Sequence, residues 1–190
     1  MKVSYDEYYQ TEHLFGEPYP ELIDFFTKEI KSKKVLDLGC GQGRDAIALA
    51  KLGFDVTGID ISKVGIDQMN VIATSNNLSL KGFIADIFLF DDFEKYDIVL
   101  LNSMFHFSKN DKEKEIAFIK NIISKIKIGS KIIFCIQDTG KKVEILNTIL
   151  SSEKMKNLED KKMKYTFEDK ETGHSSTSDY RMIVVEKSGY

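Results

Sequence analysis

The sequence predicts an α/β fold: an open, mostly parallel sheet with helices on both faces. Strand-like apolar runs alternate with amphipathic helical runs over residues 34–150, the pattern of consecutive βα units. The apolar run 35–38 stops at three glycines spaced by two, Gly39, Gly41 and Gly43, and a helical pattern follows. The end of the chain holds two strand-like runs with no helix between them, which indicates an antiparallel β-hairpin.

Length and composition narrow the class of protein. A chain of 190 residues with 42% hydrophobic residues predicts a single domain over 1–190 with a sizeable core. The net charge of −3 gives no general attraction to nucleic acid, and no apolar run reaches the length of a membrane helix. Residues 1–7 lack an apolar signal core, and the two cysteines lack metal-ligand spacing. We therefore expect a cytoplasmic protein with a small-molecule substrate and no metal or membrane partner; nucleic acid is the less favoured partner, and the oligomeric state is not indicated.

The N-terminal segment differs in composition from the rest. Residues 1–20 are rich in tyrosine, and Pro18 and Pro20 punctuate their end, so we expect an arm with a short helix or irregular backbone over 4–13. The apolar positions of residues 21–31 fit one helical face, with acids early and lysines late as the helix dipole prefers.

The remaining elements follow from the hydrophobic periodicity and from residues that typically begin or end helices. Gly53 ends the helix after the glycine loop, and Ser62 is a candidate N-cap for the next helix, which stops near Asn76. The longest helix carries an isoleucine stripe opposite lysines and acids. Predicted strands cover 34–38, 54–60, 80–85, 96–101, 131–136, 162–169 and 180–187, and the other predicted helices cover 44–52, 109–126 and 142–150. The chain thus divides into the arm, a cofactor-binding core over 21–140, and a helix with the hairpin over 141–190.

Ligands of such sheets bind beyond the carboxyl ends of the strands, where the glycine loop lies. Glycines alone fit either a dinucleotide or S-adenosylmethionine, since both need close backbone approach. Arg44 stands where a dinucleotide fingerprint wants its third glycine. The Asp37 carboxylate would repel a pyrophosphate but suits an ammonium group, directly or through a water. Asp60 ends the second strand and suits the two hydroxyls of a ribose, a feature of both ligands.

Asp86 follows the third strand. Its carboxylate is placed to accept the exocyclic amine of an adenine, with Ile61 and Ile87 on the two faces of the ring. The alternative is a helix cap or a loop acid.

These motifs resemble those of the class I S-adenosylmethionine-dependent methyltransferases. The resemblance rests on Val35–Arg44, Gly58–Ser62, Ala85–Asp86 and Tyr96–Leu100, in the family's order, and covers about residues 20–137. Within the family, the chain is similar to small enzymes of the tellurite-resistance and general small-molecule type. The resemblance implies a Rossmann-like seven-stranded sheet of order 3-2-1-4-5-7-6 and S-adenosylmethionine as cofactor. It implies cofactor contacts by Asp37, Gly39, Cys40, Gly41, Gly43, Arg44, Asp60, Ile61, Asp86, Ile87 and Asn102.

The acceptor side carries weaker signals. His106 follows the fourth strand and is a candidate substrate contact or general base, with a structural or cofactor-packing role as the alternative. Gln137 ends the fifth strand on the same rim. Tyr8, Tyr9 and Phe15 are candidates for a lid, because aromatic faces attract a sulfonium, or else they only cover the sheet.

The sequence therefore predicts methyl transfer to a small-molecule oxygen, nitrogen or sulfur by in-line displacement. The alternatives are an RNA or protein methyltransferase, a cofactor-binding protein without transfer, and, less favoured, an NAD-dependent oxidoreductase.

Overall fold

A computed structural model describes residues 5–11, 14–168 and 175–189. Its seven strands form one sheet of order β3-β2-β1-β4-β5-β7-β6. The pairs among β1 to β5 are parallel, whereas β7 is antiparallel to both β5 and β6. The predicted fold class, strand order and C-terminal hairpin are confirmed.

The elements alternate along the chain as the periodicity predicts. The strands are β1 Lys34–Leu38, β2 Asp55–Asp60, β3 Leu80–Ile84, β4 Ile98–Asn102, β5 Lys131–Gln137, β6 Lys156–Glu168 and β7 Ser175–Glu186. The helices are α1 Tyr5–Tyr8, α2 Pro20–Thr27, α3 Arg44–Lys51, α4 Lys63–Ser75, α5 Lys112–Lys125 and α6 Lys142–Ser152, with a short 3₁₀ turn at Ile87–Leu89.

Two apolar layers sandwich the sheet. Alternate residues of β1 point to opposite faces, so Val35 packs with α2, α3 and α4, and Leu36 packs with α5 and α6. Four of the five β1 residues are buried, as expected for a central parallel strand covered on both faces.

The residues predicted to begin and end helices mostly act as predicted. Ser62 caps α4, since its hydroxyl accepts a hydrogen bond from the Gly65 amide at 3.1 Å. Gly53 follows α3 with a φ of 95°, the left-handed conformation of a helix-ending glycine. The Leu52 and Gly53 amides close the last turn of α3.

Several element bounds differ from the prediction. β6 begins at Lys156 rather than 162, because it is an edge strand paired with β7. An edge strand tolerates the run of charged residues that hides the alternation of apolar and polar positions. β7 likewise begins at Ser175 rather than 180. The helix predicted over 21–31 ends at Thr27, and that predicted over 109–126 begins at Lys112. Residue 169 of the predicted strand and residues 170–174 of the predicted hairpin connection lie outside the described part of the chain.

Candidate active site

A cavity of about 660 Å³ lies along the carboxyl edge of the sheet. Its lining includes the glycine loop, the ends of β2 and β4, the 3₁₀ turn, part of the N-terminal arm, and two tyrosines of the hairpin. The site predicted at the strand ends therefore coincides with a concave surface.

The glycine loop is a tight left-handed turn that needs glycine. Gly39 and Gly41 have φ values of 71° and 55°, in the region that L-residues rarely adopt. Side chains also pack directly on the loop: a Cβ at Gly41 would lie 2.5 Å from the Tyr9 hydroxyl, and one at Gly39 would lie 1.9 Å from Met104 Sδ. Tyr9 and Met104 both line the cavity, so this loop forms its floor.

Asp60 lines the cavity and holds the loop. Its Oδ2 accepts from the Gly41 amide and its Oδ1 from the Ser62 amide, each at 2.8 Å. Burial raises the pKa of Asp60, while these amides act in the opposite direction. Each carboxylate oxygen has two lone pairs, so the side chain still has acceptor capacity toward the cavity.

Asp86 both caps a turn and faces the cavity. Its Oδ1 accepts from the Phe88 amide at 2.9 Å, which is the cap predicted as the alternative role. Ile87 is buried, whereas Ile61 is 53% exposed and also lines the cavity. The structure therefore gathers Asp60, Ile61, Asp86 and Ile87 at one end of the cavity.

Asp37 does not line the cavity. It is 2% exposed, and the Ala46 amide in the first turn of α3 acts to lower the pKa of its carboxyl group. Its Oδ2 has no hydrogen-bond partner within the described residues. Burial, and then the charge of Asp45, raise the pKa of Asp37 well above its ordinary value. Asp37 is thus a buried acid with an unpartnered oxygen.

An ion pair at the start of α3 was missed by the sequence reasoning. Asp45 is 5% exposed and accepts from Arg44 Nε at 3.1 Å and Nη2 at 2.9 Å. Its Oδ2 also accepts from Asn102 Nδ2 at 2.8 Å. The available signal was an acid in the first turn of a helix beside the glycine loop, a pattern that ordinarily complements the helix dipole. Arg44, Asp45 and Asn102 all line the cavity.

A cluster of three tyrosines was missed as well. The rings of Tyr19, Tyr165 and Tyr180 lie with centroids 5.6 to 5.9 Å apart, and each ring contacts the other two. The Arg44 guanidinium lies 5.2 Å from the centroid of Tyr19. No local signal predicts this cluster, because it joins the arm to two strands far along the chain.

Some predicted acceptor residues lie outside the lining. The His106 side chain is exposed, and Gln137 Oε1 accepts from Lys142 Nζ at 2.8 Å. Tyr8 is 58% exposed, whereas Tyr9 and Phe15 do line the cavity. The geometry therefore favours Tyr9 and Phe15 as cavity residues and gives His106, Gln137 and Tyr8 no contact with it.

Glu115 of α5 holds the segment after β4. It is 4% exposed, and its two oxygens accept from the His106 amide at 3.2 Å and the Phe107 amide at 2.6 Å. Phe107 has a φ of 48° and Ser103 a φ of 58°, so this segment is bent through left-handed conformations at non-glycine residues. Glu115 is a positioning residue for this rim of the cavity.

Replacement of Glu115 by alanine should lower the free energy of unfolding by about 1–3 kcal/mol, because two amides lose their acceptor. Urea unfolding followed by circular dichroism measures it. Glu113→Ala is the matched control, exposed on the same helix, and should stay within about 0.5 kcal/mol of the wild type. Equal losses in the two variants would contradict the assigned role of Glu115.

The described residues contain no candidate membrane helix and no candidate metal-ligand cluster. Within residues 5–11, 14–168 and 175–189, no helix has the length and apolar character needed to cross a membrane. The same residues contain no group of three or more histidine, cysteine or acidic side chains arranged to hold a metal ion.

The chain is similar to several known proteins. A family model described as tellurite resistance protein TehB matches residues 1–143. The probable S-adenosyl-L-methionine-dependent methyltransferase TehB of Haemophilus influenzae (strain 10810) is 31% identical over 124 residues, which cover 65% of this chain and 42% of that protein. A ubiquinone biosynthesis O-methyltransferase of Rickettsia bellii (strain OSU 85-389) is 32% identical over 129 residues, which cover 68% of this chain and 52% of that one.

The crystal structure of TehB from Haemophilus influenzae superimposes with a TM-score of 0.74 at 22% identity, covering 96% of this chain and 67% of that one. This likeness supports the fold. The matched part of the chain spans 42% and 52% of the length of the two curated relatives.

Proposed function

Because the chain belongs to the family of the tellurite resistance protein TehB, we propose that it is an S-adenosylmethionine-dependent methyltransferase acting on a small molecule. One observation carries this proposal. The glycine loop, Asp60 and Asp86 line the same cavity, and the buried acid Asp37 lies beside them. The predicted membership of the class I methyltransferases is confirmed by this family.

The residues present fit the cofactor. Asp37 Oδ2 is a buried oxygen without a partner in the described chain, and an ammonium group or its water would satisfy it. Asp60 would receive the ribose hydroxyls, and Asp86 the adenine amine. The half-exposed Ile61 would cover a flat ring that Ile87 supports from the other side.

The remaining predicted contacts divide by position. Gly39, Cys40, Gly41 and Asn102 line the cavity and would surround the methionine end, whereas Gly43 sits at the N-cap of α3. Arg44 would act through Asp45 rather than by direct charge pairing, since its guanidinium is already paired.

When bound, the cofactor would supply a methyl carbon activated by a sulfonium. That carbon is open to in-line attack by a nucleophile, with the thioether as the leaving group. The chain then needs to align the acceptor and exclude water rather than supply a triad. The N-terminal arm excludes water from the site. Tyr9 covers the glycine loop and is 4% exposed, and Gln68 Nε2 donates to the Tyr9 carbonyl oxygen at 2.9 Å.

The arm is tied to both sides of the cavity mouth. Asp6 Oδ1 accepts from the Ser62 hydroxyl at 2.5 Å, and the Phe15 carbonyl accepts from the Tyr165 hydroxyl at 3.2 Å. A cavity of about 660 Å³ closed in this way suits a small acceptor better than a nucleic acid or a folded protein.

Isothermal titration with S-adenosylhomocysteine tests the proposal. Binding at micromolar concentrations with no heat from NAD is the expected result. Tight NAD binding without S-adenosylhomocysteine binding would refute the proposal. Transfer from labelled cofactor to a metabolite mixture then separates an enzyme from a binding protein without transfer.

Asp60→Ala should weaken S-adenosylhomocysteine binding by about tenfold or more, since it removes a buried acceptor of the ribose. Asp55→Ala is the matched control, because Asp55 begins the same strand at the opposite edge of the sheet and is exposed. Unchanged affinity in a folded Asp60→Ala protein would show that the ribose assignment is wrong.

A further inference from the structure

The cavity has a second end that the cofactor residues do not occupy. Asp60 ends β2 and Asp86 follows β3, and both strands lie on one side of β1 in the sheet. Tyr165 and Tyr180 belong to β6 and β7, which lie on the other side of β1. The proposed function gives the acidic end to the cofactor, so the tyrosine end remains for the acceptor. Any assignment of the tyrosine end therefore rests on the proposed function.

Three rings form the wall of this end. The centroid distances are 5.7 Å between Tyr19 and Tyr165, 5.6 Å between Tyr19 and Tyr180, and 5.9 Å between Tyr165 and Tyr180. Such a wall packs best against another flat ring. Arg44 already lies against Tyr19 and Tyr165, at 5.2 and 6.0 Å from their centroids. Because Arg44 already occupies the cation-binding face of this wall, a cationic acceptor is disfavoured here.

Hydroxyl groups converge where β4 ends. Ser103 Oγ lies 3.5 Å from the Tyr180 hydroxyl and 3.0 Å from Asn102 Oδ1, and the Tyr19 ring packs against that of Tyr180 with centroids 5.6 Å apart. Ser103 is held in its left-handed conformation by its amide, which donates to the Cys135 carbonyl at 2.8 Å. The three hydroxyls make this corner rich in hydrogen-bond donors, which suits an anionic oxygen or sulfur.

This network contains no spare base. Its carboxylate is Asp45, whose charge is already paired with the Arg44 guanidinium and which also accepts from Asn102 Nδ2. The cavity lining, as far as the chain is described, includes no histidine. Glu17, Lys51 and Lys114 also line the cavity as exposed side chains, and Asp60 and Asp86 lie at the cofactor end. An acceptor that reacts here therefore has to bring its own ionised atom.

We infer that Tyr19, Tyr180 and Ser103 form the acceptor subsite, and that this subsite takes a planar aromatic molecule whose reactive oxygen or sulfur is already anionic at neutral pH. A lone pair of that atom forms the new bond to the methyl carbon while the bond from carbon to the sulfonium sulfur breaks. The bonding pair stays on the donor sulfur, the two opposite charges cancel, and no proton moves. Acidic phenols and aryl thiols share this chemistry.

Binding measurements at pH 8 with saturating S-adenosylhomocysteine test the inference without turnover. The probes are 4-nitrophenol and thiophenol, which are largely ionised, and phenol and benzylamine, which are a neutral and a cationic counterpart. The ionised probes should bind about tenfold tighter or more, because hydrogen bonds to a charged atom are the stronger ones. The two ionised probes separate an oxygen from a sulfur acceptor.

Ser103→Ala and Tyr180→Phe should each weaken 4-nitrophenol binding by about tenfold while the affinity for S-adenosylhomocysteine stays within about twofold. Tyr96→Phe is the matched control, since Tyr96 precedes β4 at the opposite edge of the sheet and does not line the cavity. Phenol binding as tight as 4-nitrophenol binding, or ionised-probe affinities unchanged in both variants, would overturn the inference.

Three other outcomes are also decisive. Turnover of phenol that is lost in Glu17→Gln would place a base in the arm and overturn the inference. If S-adenosylhomocysteine binds but no aromatic probe does, the subsite inference fails alone. If S-adenosylhomocysteine does not bind, the proposed function fails, and the inference that rests on it falls too.

Discussion

Asp37→Asn should raise the melting temperature of the cofactor-free protein at pH 8 and weaken S-adenosylhomocysteine binding by about tenfold or more. The buried carboxyl group has one unpartnered oxygen within the described chain and lies near the charge of Asp45. A neutral amide of the same shape removes the cost of a buried, poorly satisfied acid. The same change removes the negative charge that a cofactor ammonium would use. Stability and binding should therefore move in opposite directions.

The direction of the Asp37 pKa shift determines how the stability of the protein changes with pH. The pKa of Asp37 is raised above its ordinary value of 3.8 by burial first and by Asp45 second. Above that ordinary value the folded protein keeps a proton that the unfolded chain has lost, so stability falls as pH rises through the raised pKa. Asp37→Asn lacks this slope, and its gain in melting temperature should be larger at pH 8 than at pH 5.

Cofactor affinity should show the reverse trend. An ammonium group pairs with Asp37 only when the carboxyl group is ionised, so the wild-type affinity should rise with pH, by at most about tenfold per unit. The affinity of Asp37→Asn should be nearly flat over the same range. Asp97→Asn is the matched control: Asp97 accepts from the Lys34 amide at 2.8 Å at the opposite edge of the sheet. A variant less stable than the wild type at both pH values would contradict this account.

The cofactor half of the site follows from local sequence. Three glycines after a buried strand predict the left-handed turn, and an acid at the end of the next strand predicts Asp60 beside it. These features depend on neighbours in the chain or on adjacent parallel strands, whose carboxyl ends must meet at one edge. Asp37 shows the limit of such reasoning: its position beside the loop was predicted, but its burial away from the cavity depends on how α3 packs over it.

The acceptor half depends on contacts between distant parts of the chain. Tyr19 meets Tyr165 and Tyr180 only because the antiparallel hairpin places β7 and β6 beyond β5. The register of that edge is hidden by the charged run of β6, so no pattern in the sequence shows which tyrosines face the cavity. His106 was the visible signal, yet Glu115 holds its amide and its side chain is exposed.

Arg44→Met should lower the free energy of unfolding by about 3–5 kcal/mol, the usual cost of leaving a buried charge without its partner. The Arg44 side chain is 17% exposed and that of Asp45 is 6% exposed. Burial alone would lower the pKa of Arg44, but the charge of Asp45 more than offsets it and holds the pKa above its ordinary value. Without the cation, Asp45 and Asp37 would face each other in the interior with no positive charge between them.

Arg181→Met is the matched control because it removes the other arginine of the chain, which is also in a two-point ion pair. Arg181 Nε and Nη2 lie 2.6 and 2.9 Å from the Asp160 oxygens, but the side chain is 25% exposed. Its replacement should cost about 1 kcal/mol or less, since water screens the pair. Urea unfolding of both variants measures the difference, and it should narrow at pH 5, where Asp37 is more readily protonated. Adding Asp45→Asn to Arg44→Met should recover part of the loss, because it removes the unpaired buried charge while a side-chain oxygen still accepts from Asn102. Equal losses of stability in Arg44→Met and Arg181→Met would show that burial does not determine how much the Arg44 ion pair contributes to the free energy of unfolding.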